Sequence, residues 1–233
     1  MPQALRSRIT REPLSSSKRG VVRGICRVNT VLDVGANNGS FGLSIAQQNP
    51  HIQVFGFEPT PQLCDLIRGK VEEMGLKNYE LIPMAVSDYA GTVKFNVAGQ
   101  ADWGCSSLLT FSEDLDKTWP GRSDFKVTET IDVECITLES FVKDRGITGI
   151  EFLHVDAQGV DLKVMASLGE HIKILNRGML ETASSKSVAL YKGQHTIEDV
   201  VVFLLRHGFE IERLTPNDVH CNEVNVVFKR IWA

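Results

Sequence analysis

An apolar run that stops at an acidic, glycine-framed turn constrains this chain more than any other feature. Val31-Leu32-Asp33-Val34 leads into Gly35-Ala36-Asn37-Asn38-Gly39, and Ser40-Phe41 opens a helical pattern. A second apolar run, Ile52 to Phe57, ends in Glu58-Pro59, with Glu58 19 residues beyond Gly39. Strand, tight turn, helix and a second strand ending in a carboxylate form the front half of an adenosine-binding α/β unit. A dinucleotide fingerprint anchored at Gly35 needs glycines where this chain has Asn37 and Ser40, which disfavours a dehydrogenase. Asp33 at the strand tip suits a ligand carrying an ammonium and a sulfonium better than a pyrophosphate. S-adenosyl-L-methionine is such a ligand.

The small residues Gly35, Ala36, Asn37 and Gly39 are expected to let the backbone approach the amino-acid end of that ligand, whose carboxylate the first amides of the helix would receive. Ser40 is the expected N-cap. Glu58 is placed to accept both ribose hydroxyls, with Pro59 holding it extended. Met84, Ala85 and Val86, at the tip of a third strand over Glu80–Val86, are expected to sandwich adenine. Asp156 closes the fourth strand, beside the point where strand order reverses. It can accept from the ligand's ammonium, take a proton from an acceptor hydroxyl, or hold a metal. Alternation puts His154 on the same face, as a general base or as a buried structural histidine. Glu181, at the tip of the next strand (Lys173–Glu181), can join Asp156 around the reacting group. Two hard ligands without a third assign no metal site.

The rest of the chain alternates between strand-like and helix-like runs and finishes with two strands, Phe209–Leu214 and Glu223–Arg230. The fold class expected is α/β: a Rossmann-like, mostly parallel sheet with an antiparallel last strand. An antiparallel β insertion, Thr92–Val97 and Lys126–Cys135, follows the third strand. The polar stretch 99–124 between those two strands is longer than most connections in compact domains. Such loops commonly carry function, so residues 88–136 are expected to form a substrate-side lid within a domain over 29–233.

Seven basic residues against Glu12 give residues 1–28 a net charge of +6, so the remainder carries −10 of the overall −4. That arm is expected to be a tail with a short helix over Lys18–Arg27, although its composition is also that of a transit peptide. An acidic body lacks the basic footprint of nucleic-acid binding, and no apolar stretch approaches a membrane span. The five scattered cysteines fit neither a disulfide framework nor a zinc site and match a cytoplasmic protein.

Several blocks together resemble the FkbM-type methyltransferases, a branch of the class I S-adenosylmethionine-dependent enzymes. They are Asp33 to Gly39, Phe57-Glu58-Pro59-Thr60-Pro61, Ala85-Val86-Ser87-Asp88 with Gly91, Ser106-Ser107-Leu108, Thr137-Leu138, Asp156-Ala157-Gln158-Gly159-Val160-Asp161, and Leu190-Tyr191-Lys192-Gly193-Gln194. The resemblance covers residues 31–230. It implies methyl transfer to a hydroxyl of a sugar, polyketide or other small metabolite. The glycine turn and Glu58, with its neighbours Phe57 and Pro59, would be cofactor contacts, and Asp156 would lie near the transferred methyl. The family usually has Lys at His154 and often an acid at Gln158. Two other readings stay open: a methyltransferase of protein or nucleic acid, and a non-catalytic binding module of the same fold.

Overall fold

The computed structural model describes residues 30–99, 103–113, 115–122 and 125–231; the expected arm and helix within residues 1–28 lie outside them. Ten strands and six α-helices follow in order. β1 is Thr30–Val34, α1 Ser40–Gln48, β2 Gln53–Phe57, α2 Pro61–Glu73, β3 Tyr79–Ile82, β4 Ala85–Val86, β5 Gly91–Ala98 and α3 Leu115–Thr118. β6 is Val127–Ile136, α4 Leu138–Asp144, β7 Ile150–Val155, α5 Asp161–Ala166, β8 Leu175–Ala183, α6 Ile197–Arg206, β9 Phe209–Pro216 and β10 Glu223–Arg230. Seven strands form the main sheet in the order β3-β2-β1-β7-β8-β10-β9. The first five run parallel, and β10 is antiparallel to both neighbours. This is the α/β class expected from the sequence, with the antiparallel strand last in the chain.

Period-two alternation sorts the two faces of the sheet. Leu32 and Val34 of β1, Phe55 and Phe57 of β2, and Leu153 and Val155 of β7 face α4, α5 and α6 in the larger core. Val31 and Val54 face α1 and α2 in a second one, where Phe152 also packs. Asp33 and His154 are opposite each other in the β1–β7 register and point to that second face. The expected third strand breaks at Pro83. The ring has no N–H for a ladder, and the Met84 N–H turns back to the Ile82 carbonyl at 2.8 Å. Ala85 and Val86 therefore leave the main sheet and pair with β6 in a separate sheet of order β4-β6-β5. The strand expected over Lys173–Glu181 also starts later, because Gly169–Ile174 winds as a 3-10 turn.

β1 and β7 are neighbours whose onward connections run to opposite sides of the sheet, so a crevice opens beyond their C-terminal ends. Gly35 follows β1 and Asp156 follows β7. They are close enough that a Cβ on Gly35 would lie 1.9 Å from the Asp156 carbonyl oxygen. The insertion folds over the same end. Its residues Phe111, Trp119 and Phe125 pack on Leu190 and Tyr191, and Phe111 bridges Tyr191 as an isolated strand pair.

Candidate functional site

The turn after β1 is held by its own main chain. The Gly35 and Ala36 amides both donate to the Phe57 carbonyl, at 3.0 and 2.9 Å, which ties the turn to the end of β2. Gly35 has φ 79° and Gly39 φ 81°, conformations that favour glycine. Gly39, and not Ser40, is the N-cap of α1. Having no side chain to cap with, it leaves the task to Asp33, whose Oδ2 accepts from the Gly42 N–H at 3.0 Å. Ser40 instead turns both its N–H and its hydroxyl to the Asn38 side chain. The amides of residues 35, 36, 37, 39, 40 and 42 thus all have internal acceptors. The start of α1 therefore offers a ligand carboxylate fewer of its amides than the sequence suggests.

Glu58 lies at the end of β2 and is 4% exposed. One carboxylate oxygen accepts from the Asn37 N–H at 2.8 Å and the other from the Thr60 N–H at 2.9 Å. Each oxygen keeps a further lone pair. Burial raises the Glu58 pKa, while the two backbone amides pull the other way. Glu58, Gly35, Asn37 and Pro59 line one wall of a cavity, Met84, Ala85 and Val86 line another, and Asp156 with Gln158 closes a third. Trp103, Gly104, Ser106 and Leu108 of the insertion cover it.

Not every expected contact is there. Asp33 is fully buried behind the turn, with Oδ1 2.7 Å from His154 Nδ1. Ala36, Gly39 and Phe57 are framework: Ala36 packs in the second core, a Cβ on Gly39 would meet Leu43 at 2.7 Å, and Phe57 stands edge-on to Phe141. Of the two roles expected of His154, the geometry fits the buried structural one. Its ring stacks on Phe41 at 4.1 Å between centroids and lines neither cavity at this end of the sheet, because side chains on β7 alternate and position 154 belongs to the α1 face. Burial lowers its pKa, but Asp33, with the charges of Asp156 and Asp161, leaves it above the ordinary histidine value.

A second cleft adjoins the first and shares Gly104, Asp156 and Gln158 with it. Gln158 joins the two. Its Nε2 donates to Asp156 Oδ1 at 2.6 Å and lies 3.4 Å from Glu181 Oε2. Its Oε1 accepts from the Tyr191 hydroxyl at 2.7 Å, and its carbonyl accepts from the Ser107 hydroxyl at 2.6 Å. The left-handed backbone at Gln158, φ 52°, is braced by Asp161, whose two oxygens accept from the Ala157 and Gly159 amides. Burial, and then the charge of Asp156, pushes Asp161 up to about 8.

Glu181 lines the second cleft with Asp156. It accepts from Asn217 Nδ2, and burial followed by the charges of Asp156 and Glu223 holds it well above the usual carboxylate range. Sequence reasoning did not assign roles to Gln158, Tyr191, Ser107 or Glu223. The first three stand in blocks that carry the family resemblance, which was the available signal. Glu223 had none.

The profile of the methyltransferase FkbM domain matches residues 33–211. The 2-O-methyltransferase NoeI of Sinorhizobium fredii is 28% identical over 219 residues, covering 90% of this chain and 85% of that protein. Methyltransferase sdnD of Sordaria araneosa is 25% identical over 170 residues, 65% of each chain. Among solved structures, an rRNA methylase from Streptococcus thermophilus aligns with TM-score 0.47 and 12% identity, covering 88% of this chain and 89% of that one.

Proposed function

Because this chain belongs to the FkbM methyltransferase family, whose methyl donor is S-adenosylmethionine, we propose that it methylates a hydroxyl of a small metabolite such as a sugar or polyketide. The donor would lie between Glu58 and Asp156, and the acceptor in the adjoining cleft. The observation that carries this reading is that Asp156 and Gln158 line both spaces, so one carboxylate borders donor and acceptor alike. The hydroxyl part draws on NoeI, an O-methyltransferase by name.

The residues fit the donor. Glu58 has a lone pair on each oxygen for a pair of ribose hydroxyls, a charge-assisted contact, and its orientation is fixed by two amides that no side-chain substitution elsewhere can remove. Gly35 lets the main chain come against the Asp156 peptide, where any Cβ would collide. Met84, Ala85 and Val86 give the flat, largely apolar wall that a purine needs. When bound, the donor supplies an electrophilic methyl group on a sulfonium.

The chain's own task is to present an acceptor oxygen in line with that methyl, remove the hydroxyl proton and exclude water. Asp156 is the group for the proton: it touches both spaces, and Gln158 holds its carboxylate at 2.6 Å. Glu181 borders only the second cleft, and His154 is turned away. The insertion, through Trp103, Gly104, Ser106 and Leu108, is the cover over the reaction. The reading is tested by incubating the protein with S-adenosylmethionine labelled with carbon-13 in the methyl group and a panel of saccharide and polyol acceptors. A carbon resonance of an O-methyl product is expected. A label found only on nitrogen, carbon or a macromolecule would overturn it.

A further inference from the structure

Four carboxylates, those of Asp156, Glu181, Asp218 and Glu223, border the second cleft against one basic side chain, Arg122. Most carboxylates deeper in the fold are matched by main-chain donors. Here Asp218 is matched, by the His220 and Glu223 amides, but Glu223 is not. Glu223 is 7% exposed, and its Oε1 is buried without a hydrogen-bond partner among the described residues. Leaving a charged oxygen in that state is costly, and the fold does not require it, since β10 opens at Glu223 opposite Ala183, where an amide would serve the ladder equally. A buried polar group without a partner calls for an explanation, and a ligand is one.

The chemistry of the missing partner follows from the charge. An anionic acceptor would meet four like charges. A neutral hydroxyl donates one hydrogen bond and leaves the summed charge as it was. An ammonium donates three and neutralises one of the four. A metal ion would serve too, but among the described residues no group of three or more His, Cys, Asp or Glu side chains could hold one. Trp119, Phe125 and Leu190 add an apolar wall for a carbon skeleton.

We propose that this cleft is the subsite for a protonated amine on the methyl acceptor, held by Glu223 and Glu181 while a hydroxyl of the same molecule lies at Asp156; the inference rests on the methyltransferase reading above. The acceptor class is then an amino alcohol or amino sugar. The titration of the site agrees with this geometry. Burial, and next the charge of Asp156, pushes Glu223 up to about 7, with Gln194 and Arg122 opposing. Without a bound cation the cluster takes up protons in its place.

The test uses the full chain saturated with S-adenosylhomocysteine and two probes, serinol and glycerol, which differ only in an ammonium against a hydroxyl. Binding by ligand-observed nuclear magnetic resonance at pH about 8 should favour serinol by about tenfold or more, the scale of a hydrogen bond to a charged group. Glu223→Gln should remove most of that preference. A second readout needs no ligand. Asp156 from the end of β7, Glu181 from β8, Asp218 from the β9–β10 connection and Arg122 from the insertion all face Glu223, and all are retained in the variant. The difference between the proteins therefore isolates position 223. An acid whose folded pKa is raised loses stability as pH climbs from its ordinary 4.5 to about 7. Glu223→Gln should accordingly melt above wild type at pH about 8, with the gap closing near pH about 5. Equal binding of the two probes, binding of neither, a preference that survives the substitution, or a variant less stable throughout would overturn the proposal. If S-adenosylhomocysteine fails to raise the melting temperature of the wild type, the donor reading fails instead, whatever the probes do.

Discussion

The two spaces at the end of the sheet hold their carboxylates in different ways. On the donor side each buried carboxylate is fixed by the main chain. Glu58 takes the amides of Asn37 and Thr60, Asp161 those of Ala157 and Gly159, and Asp33 that of Gly42. On the acceptor side Asp218 also takes two amides, those of His220 and Glu223, but Glu181 rests on the side chains of Asn217 and Gln158, and Glu223 has an oxygen with no partner among the described residues. Main-chain donors come with the turn and hold one geometry. Side-chain donors arrive from distant elements and can be exchanged one at a time. The difference suits a site in which the cofactor is constant and the acceptor varies.

That contrast can be broken first at its most rigid point. Gly35→Ala combines a positive φ with a Cβ placed 1.9 Å from the Asp156 carbonyl. The backbone on both sides must move, so urea denaturation is expected to show a loss of about 3–5 kcal/mol. A loss under 1 kcal/mol, the scale of an ordinary surface change, would mean the β1–β7 junction is looser than it looks.

A smaller effect is expected where the insertion meets the floor. The Tyr191 hydroxyl lies 2.7 Å from Gln158 Oε1 and 2.8 Å from the Cys105 carbonyl. Tyr191→Phe leaves one of those acceptors short of its donor, which should cost about 1–3 kcal/mol. S-adenosylhomocysteine affinity should hold while methyl transfer falls. Equal losses in both would show that the insertion serves the donor as much as the acceptor.

His154 gives the smallest effect and a pH signature. Its folded pKa is raised above 6.5 by Asp33. The stabilisation is therefore complete below the unfolded value and is lost as pH rises through the folded one. His154→Gln should cost about 1 kcal/mol at pH about 5.5 and less at pH about 8. The acidic limb of the turnover rate should be unchanged. Loss of that limb would return His154 to the reaction.

The same contrast explains what could be read from the sequence. The main sheet and Glu58 were legible because they rest on local pattern: apolar runs, a glycine turn, and a carboxylate at a strand end. The third strand was legible as an apolar run, but the departure of Ala85 and Val86 to another sheet depended on β6, about 50 residues onward. Asp33 and His154 were harder to place because residue type shows a charge without showing what it packs against. Their pairing with each other and with α1 is tertiary. Glu223 and Asn217 were out of reach, since nothing local marks a β9–β10 connection that folds back beside Glu181.

The central claim is the division of labour between Glu58 and Asp156, and a calorimetric titration with S-adenosylhomocysteine tests it most directly. Glu58→Ala, in a folded protein, should weaken binding by about 1.5–3 kcal/mol, the scale of charge-assisted hydrogen bonds. Asp156→Asn, which keeps size and hydrogen bonding, should change it by less than about 0.7 kcal/mol, or roughly threefold, while abolishing most of the methyl transfer. An unchanged affinity in Glu58→Ala, or a loss in Asp156→Asn as large as the one at Glu58, would contradict the account.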